Sequence, residues 1–277
     1  MTKDALSGGM LTLCSSMMVF AQTAETELVS PSAIQDNSFI VEEAFNQESG
    51  VVQHIFNLVH FNKPQEDFVF TFTQEWPIFS SLHQMSFTIP HAFLNSNAIN
   101  GFGDVLINYR YQLLTQDQWA AAAPRLSIIL PTGNSDKGIG TGVVGLQVNV
   151  PVSKRLSESL IMHFNAGATL LPGVRSTDAL SSRMNHTLIA YNLASSIVWL
   201  AHSNYNILLE YAESFLNEID EHGNVISFTD VSLNPGLRFA VNIPALQIVP
   251  GVSMPINISR GNTRVGTFLY LSFEHPF

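Results

Sequence analysis

Residues 264–277, RVGTFLYLSFEHPF, alternate along an extended strand. Thr267, Leu269, Leu271 and Phe273 fall on one side. Arg264, Gly266, Ser272 and Glu274 fall mainly on the other, with Phe268 and Tyr270 between them. An unpaired apolar strand at a chain end frays and invites aggregation in water. A membrane barrel needs such a strand, because its last segment pairs with its first to close the sheet. Leu269, Leu271, Phe273 and Phe277 are therefore expected to mark a closure strand, and the search for its partners runs back along the chain.

The same period of two recurs from Val51 onward. Phe68, Phe70 and Phe72 alternate with Val69, Thr71 and Thr73, and Val105, Ile107, Tyr109 and Tyr111 with Leu106, Asn108 and Arg110. Leu160, Met162, Phe164 and Ala166 alternate with His163, Asn165 and Gly167. Segments of about ten residues with one apolar and one polar face are the signature of a transmembrane barrel. About twelve are expected, an even number as this class requires. They lie near 51–61, 66–76, 83–90, 103–114, 120–131, 142–152, 159–170, 187–200, 205–215, 228–241, 246–257 and 263–275. The fold class is thus all-β: an up-and-down, antiparallel barrel spanning a membrane. Short turns are expected at Pro77–Leu82, Thr115–Trp119, Ser153–Glu158, Ala201–Asn204 and Asn242–Ala245. Longer outer loops are expected at His91–Phe102, Thr132–Thr141, Leu171–His186 and Leu216–Ser227.

Composition supports the reading. Of 277 residues, 46% are hydrophobic and 12% charged, against about a quarter charged in a soluble domain. The net charge of −10 and scattered basic residues exclude a nucleic-acid partner. The lone Cys14 allows no disulfide framework and no cysteine metal site, and the histidines lack metal-motif spacing. No cofactor and no metal are called for. Residues 1–21 read as a signal peptide with a short apolar run at 10–21. Residues 22–50 read as a periplasmic extension or a lumen plug, and 51–277 as the barrel. Trp76, Trp119, Trp199, Tyr109, Tyr111, Tyr211 and Phe239 fall near strand ends, where amphipathic rings favour the membrane interface.

An apolar face toward lipid places the polar face in the lumen. Glu75, Asp104, Asn108, Arg110, Arg125, His163, Asn165, Glu210, Asp230, Asn234, Arg238, Arg264 and Glu274 are the candidate pore lining. Arg or Lys on the lipid face costs about 2–4 kcal/mol at mid-membrane, so the register is strongly chosen. Such a lining filters solute, or its charges pair and fill the interior. Gly140-Thr-Gly142-Val-Val-Gly145 matches a dinucleotide fingerprint in letters, but a β-branched run with Pro151 follows where a helix is required. There is no G-x-S-x-G elbow.

Gly101-Phe-Gly103-Asp104 with the strand after it, and Leu130-Pro131-Thr132-Gly133-Asn134 with its glycine-rich loop, resemble segments of the outer-membrane transporter family named after the meta-pathway of phenol degradation. Gln74-Glu-Trp-Pro77 is also similar, and the resemblance covers most of the chain after about Phe39. It implies an outer-membrane barrel that passes small, often hydrophobic or aromatic molecules. It supplies motif positions (Gly101, Gly103, Asp104, Pro131, Thr132, Gly133) but no catalytic residues, and Asp104 and Thr132-Gly133-Asn134 fit a role in turns and register as well as one in the lumen. The expected partners are outer-membrane lipid, the barrel-assembly machinery acting on the last strand, and a small solute of unknown identity. The alternatives are a lipid hydrolase housed in a barrel and a structural or adhesive barrel with a plugged lumen.

Overall fold

Alternation along each strand forces one face of a sheet to be apolar, and closing that sheet removes its edges. The computed structural model, which describes residues 34, 38–177, 183–220, 222–243 and 246–277, has this form. Its extended segments are β1 (Val51–Phe61), β2 (Asp67–Ile78), β3 (Ser80–Leu94), β4 (Ile99–Phe102), β5 (Val105–Tyr111), β6 (Ala121–Ala122), β7 (Arg125–Leu130) and β8 (Gly145–Ser157). They continue as β9 (Leu160–Thr177), β10 (Arg183–His202), β11 (Tyr205–Ile219), β12 (Val225–Phe239), β13 (Val241–Ile243), β14 (Leu246–Ser253), β15 (Ile256–Ser259) and β16 (Asn262–Pro276). Short breaks divide β4 from β5, β6 from β7, β12 from β13 and β14 from β15, so the segments merge into twelve antiparallel staves. The last closes on the first, from Val51↔Pro276 to Phe61↔Gly266.

The rim holding Val51 and Pro276 is the lower rim. At the upper rim most hairpins are tighter than the sequence suggests. The expected loop at 91–102 shrinks to a turn after Leu94, where Asn95, Ser96 and Asn97 take positive φ. β9 and β10 run on to Thr177 and from Arg183, and β11 and β12 to Ile219 and from Val225, through stretches expected as loops. The ladder bonds continue there after the lipid-facing alternation has ended, so pattern reading stops short of pairing. Only the connection from β7 to β8 stays long, and it carries a short 3-10 turn at Ser135–Lys137. At the lower rim the span from Gln112 to Ala120 breaks the rule of tight turns. The signal-peptide reading falls outside the described residues, as does residues 22–50 up to Ser38 apart from Ile34.

The outer surface is an apolar belt. Leu126, Ile128, Leu146, Val148, Val150, Phe164, Ile197, Leu209, Leu269 and Leu271 are exposed along it. Large apolar side chains exposed on one stave after another differ from the scattered apolar exposure of a water-soluble monomer, and hydrocarbon is the medium that accepts them. Trp119, Trp199, Tyr109, Tyr111, Tyr205 and Phe239 are exposed towards its lower edge.

The inner surface departs from the expectation of a polar lumen facing an oily exterior. From β16 through β3 the inward positions include Ile55, Val59, Phe61, Val69, Ala92, Leu94, Phe268 and Tyr270, all buried. This wall therefore carries apolar residues on both faces, with Asn57, Thr71, Thr73 and Ser272 interspersed on the inner one. The reason lies inside: Phe39, Ile40 and Val41 and the loop residue Ile139 join the same buried cluster.

Candidate functional site

The bore is crossed by the chain's own residues 38–47. Every side chain from Ser38 to Gln47 is buried, the acids Glu42 and Glu43 included, except that of the partly buried Phe45. The segment forms no strand, so its peptide groups need partners elsewhere, and wall side chains supply them. The amides of Ile40 and Val41 donate to the Glu210 carboxylate at 3.1 and 3.2 Å. Glu42 N donates to Asn165 Oδ1 at 2.8 Å, and Asn165 Nδ2 returns a bond to Glu42 O at 2.8 Å. Ala44 N reaches Ser153 Oγ at 2.7 Å, Asn46 N reaches Gln112 at 2.9 Å and Gln47 N reaches Gln84 at 2.7 Å. These partners belong to β11, β9, β8 and β3 and to the connection after β5, on different sides of the barrel.

Charge reinforces the crossing. Arg125 donates through Nε to Glu42 Oε1 at 2.7 Å, and through its other nitrogens to Asn108, Ser127 and Gln147. Arg238 bonds Glu43 Oε1 at 3.1 Å and the carbonyl of Ile34 at 2.9 Å. Arg110 donates to Asn46 Oδ1 at 2.9 Å and to the carbonyls of Glu43 and Phe45. Buried charges persist when paired and fully hydrogen-bonded. Here the wall supplies the arginines, and the segment supplies at least one acceptor to each of them.

Of the residues expected to line the lumen, Glu75, Asp104, Asn108, Arg110, Arg125, His163, Asn165, Glu210, Asp230, Asn234 and Arg238 are buried. Arg110, Arg125, His163, Asn165, Glu210 and Arg238 meet around the segment, and Asn234 and Asn108 brace Glu210 and Arg125 at 2.7 and 3.1 Å. Glu75 accepts from Gln84 at 2.6 Å. Arg264 and Glu274 are only half-buried, at opposite ends of β16. Arg264 pairs with Asp67 at 2.6 Å near the upper rim, and Glu274 accepts from Gln47 at 2.9 Å near the lower. Asp230, also in the upper part, accepts from Asn257 at 2.9 Å.

Asp104 plays a different part from a pore charge. Its carboxylate accepts from Gly133 N at 2.9 Å and from Thr141 N and Oγ1 at 2.7 Å each. Thr132 Oγ1 receives Val105 N at 2.9 Å and donates to Gly103 O at 3.1 Å. A Cβ on Gly133 would lie 2.9 Å from the Gly103 carbonyl carbon, so glycine is required by close backbone approach. The two sequence segments that carry the family resemblance thus form one clasp, which folds the long upper loop and seats Ile139 among buried neighbours.

One triplet has the outline of a hydrolytic triad. Ser153 Oγ lies 2.7 Å from His163 Nδ1, and His163 Nε2 lies 3.5 Å from Glu43 Oε1. A working nucleophile needs room for a carbonyl and donors for its oxyanion. Ser153 is sealed at 2% exposure and already accepts the Ala44 amide, and Glu43 is shared with Arg238. The triplet anchors the segment. Among the described residues, no group of three or more His, Cys, Asp or Glu is placed to hold a metal ion.

Sequence reading missed Phe39, Glu42 and Glu43 as site residues because nothing periodic marks an irregular segment. It missed Ser153 because the expected strand stopped one residue short. Gln147, Asn149, Pro151 and Ser153 share a face, and that spacing was the available signal.

No protein-family model matches the chain, and a search of curated proteins finds no match. Among solved structures it is similar to an outer-membrane channel from Pseudomonas putida F1, with TM-score 0.58 and 11% identity over 91% of this chain and 100% of that one. It is also similar to the NanC porin, with TM-score 0.52 and 8% identity over 82% of this chain and 100% of that one. The KdgM porin gives TM-score 0.51 and 10% identity over 81% and 99%. At such identities the likeness is one of fold: an outer-membrane barrel.

Proposed function

We propose that the chain is an outer-membrane channel for passive diffusion of small solutes, held shut at rest by residues 38–47. The observation that carries this reading is the way the segment is held. It is bonded by side chains rather than by a strand ladder, so it can leave without unpairing any stave. The apolar belt supports residence in lipid, and the similarity of fold to two porins and an outer-membrane channel supports a conducting role. The mixed interior, charged around Glu42 and apolar around Phe39, suits solutes with an oily body better than ions. The clasp between Gly103-Asp104 and Thr132-Gly133 supports kinship with the phenol meta-pathway transporter family. The upper rim would face outward, and β16, with Leu269 and Leu271 on its lipid side, would be the strand offered to the assembly machinery.

Flux into liposomes tests this. Reconstituted protein should admit small uncharged solutes faster than empty liposomes do, and Arg110→Ala or Arg238→Ala should change which solutes pass. Flux equal to that of empty liposomes for all three proteins would overturn it. That result would favour a second reading, a closed structural or adhesive barrel, which the filled bore also supports. The sealed position of Ser153 speaks against a lipid hydrolase.

A further inference from the structure

Phe39 sits in a slot cut into the barrel wall. Its ring is fully buried, with centroids 5.6 Å from Phe268 and 5.8 Å from Tyr270. The floor is made by Gly236 of β12 and Gly251 of β14, where any Cβ would collide with the Phe39 ring. Glycine inside a strand weakens it and marks a place where another group must approach closely. The pairing places these residues side by side: Gly236 opposite Ser253, Ser253 opposite Phe268, and Gly251 opposite Tyr270. The next strands continue the row, with Asn57 opposite Tyr270 and Thr71 opposite Asn57.

A phenylalanine does not fully suit this slot. Ser253 Oγ, both amide atoms of Asn57 and Thr71 Oγ1 have no hydrogen-bond partner among the described residues, and all three side chains are at most 5% exposed. A buried polar group without a partner costs about 1–3 kcal/mol, and each such group in a folded protein asks for an explanation. A benzyl side chain fills the flat space and offers these atoms nothing.

We infer that the slot is a binding site for a flat apolar ring bearing one hydroxyl or carbonyl group, and that Phe39 occupies it as a tethered competitor. Cargo that displaces the ring gains the apolar contacts that Phe39 gives up and pairs polar atoms that Phe39 leaves bare. Displacement also removes the apolar anchor of segment 38–47, so cargo binding loosens the closure. The inference rests on the reading of the lumen as a solute route.

The probes are 2-naphthol and naphthalene, titrated calorimetrically into detergent-solubilised protein. Wild type and variants are compared in the same detergent, so that partition into micelles cancels. A folded barrel migrates faster than its boiled form on a gel, and each variant is checked this way. Phe39→Ala should bind 2-naphthol about tenfold more tightly than wild type, because the competing occupant is gone. Adding Gly251→Leu to Phe39→Ala should abolish that gain by filling the slot. Adding Ser253→Ala instead should cut the preference for 2-naphthol over naphthalene by about fivefold, the worth of one hydrogen bond. Equal affinity in wild type and folded Phe39→Ala, or no binding by either, would overturn the inference. So would a gain that survives Gly251→Leu. Because binding is read without a bilayer, a channel that never conducts leaves this result standing, and a conducting channel indifferent to 2-naphthol defeats the slot alone.

Discussion

Residues 42–47 and Phe39 are near neighbours in one irregular segment, yet the barrel holds them by opposite means. Glu42 to Gln47 are gripped by named polar atoms: Arg125 and Asn165 on Glu42, Ser153 on Ala44, Arg110 and Gln112 on Asn46. Phe39 is held by shape, between Phe268 and Tyr270 over two glycines. A polar grip is directional and fixes the position of the backbone. Burial is non-directional, and any ring of similar form satisfies it. The charged half therefore sets where the segment lies, and the apolar half is where it can be exchanged.

Substitutions can break this contrast. The largest effect is expected for Glu42→Ala, which removes the buried carboxylate that pairs with Arg125. Removing one partner of a buried ion pair costs about 3–5 kcal/mol, and the unfolding midpoint in denaturant should fall while basal conductance rises. Phe39→Ala should cost about 3 kcal/mol, at the low end for a buried aromatic, because only segment docking is lost. Its mark is a raised basal conductance with the barrel's heat-modifiable migration intact. Asp104→Ala removes three hydrogen bonds from a charged acceptor. It should destabilise by about 2 kcal/mol and expose the upper loop to protease, with little change in the conductance of the closed state. Tyr211→Phe deletes only an exposed bond to Glu213 and should shift stability by less than about 0.5 kcal/mol. If Tyr211→Phe matched Glu42→Ala, the lumen would not be the centre of the molecule's energetics.

The sequence carried the barrel because lipid imposes alternation on every stave. Leu146, Val148 and Val150 had to face out, so Gln147 and Asn149 had to face in, and the strand count followed. What it did not carry lies where lipid imposes nothing. β9 and β10 remain paired at Arg175↔Asn185, above the belt, with no apolar period to announce it. Ile55, Val59 and Phe61 face inward although they are apolar, because their partners are Phe39 to Val41 and not lipid. Asp104 reads from its face as a pore charge and from its motif as a turn residue, and the second role holds its carboxylate, which accepts from Gly133 and Thr141. Glu42 and Glu43 sit in a stretch with no period at all, and only the arginines facing them give them meaning.

Single-channel conductance across a planar bilayer tests the central claim most directly, comparing the full chain with a variant whose residues 38–47 are replaced by a glycine-serine linker of equal length. The account predicts a small, rarely opening conductance for the first and a large, steadily open one for the second. Equal conductances from two correctly folded barrels would contradict it.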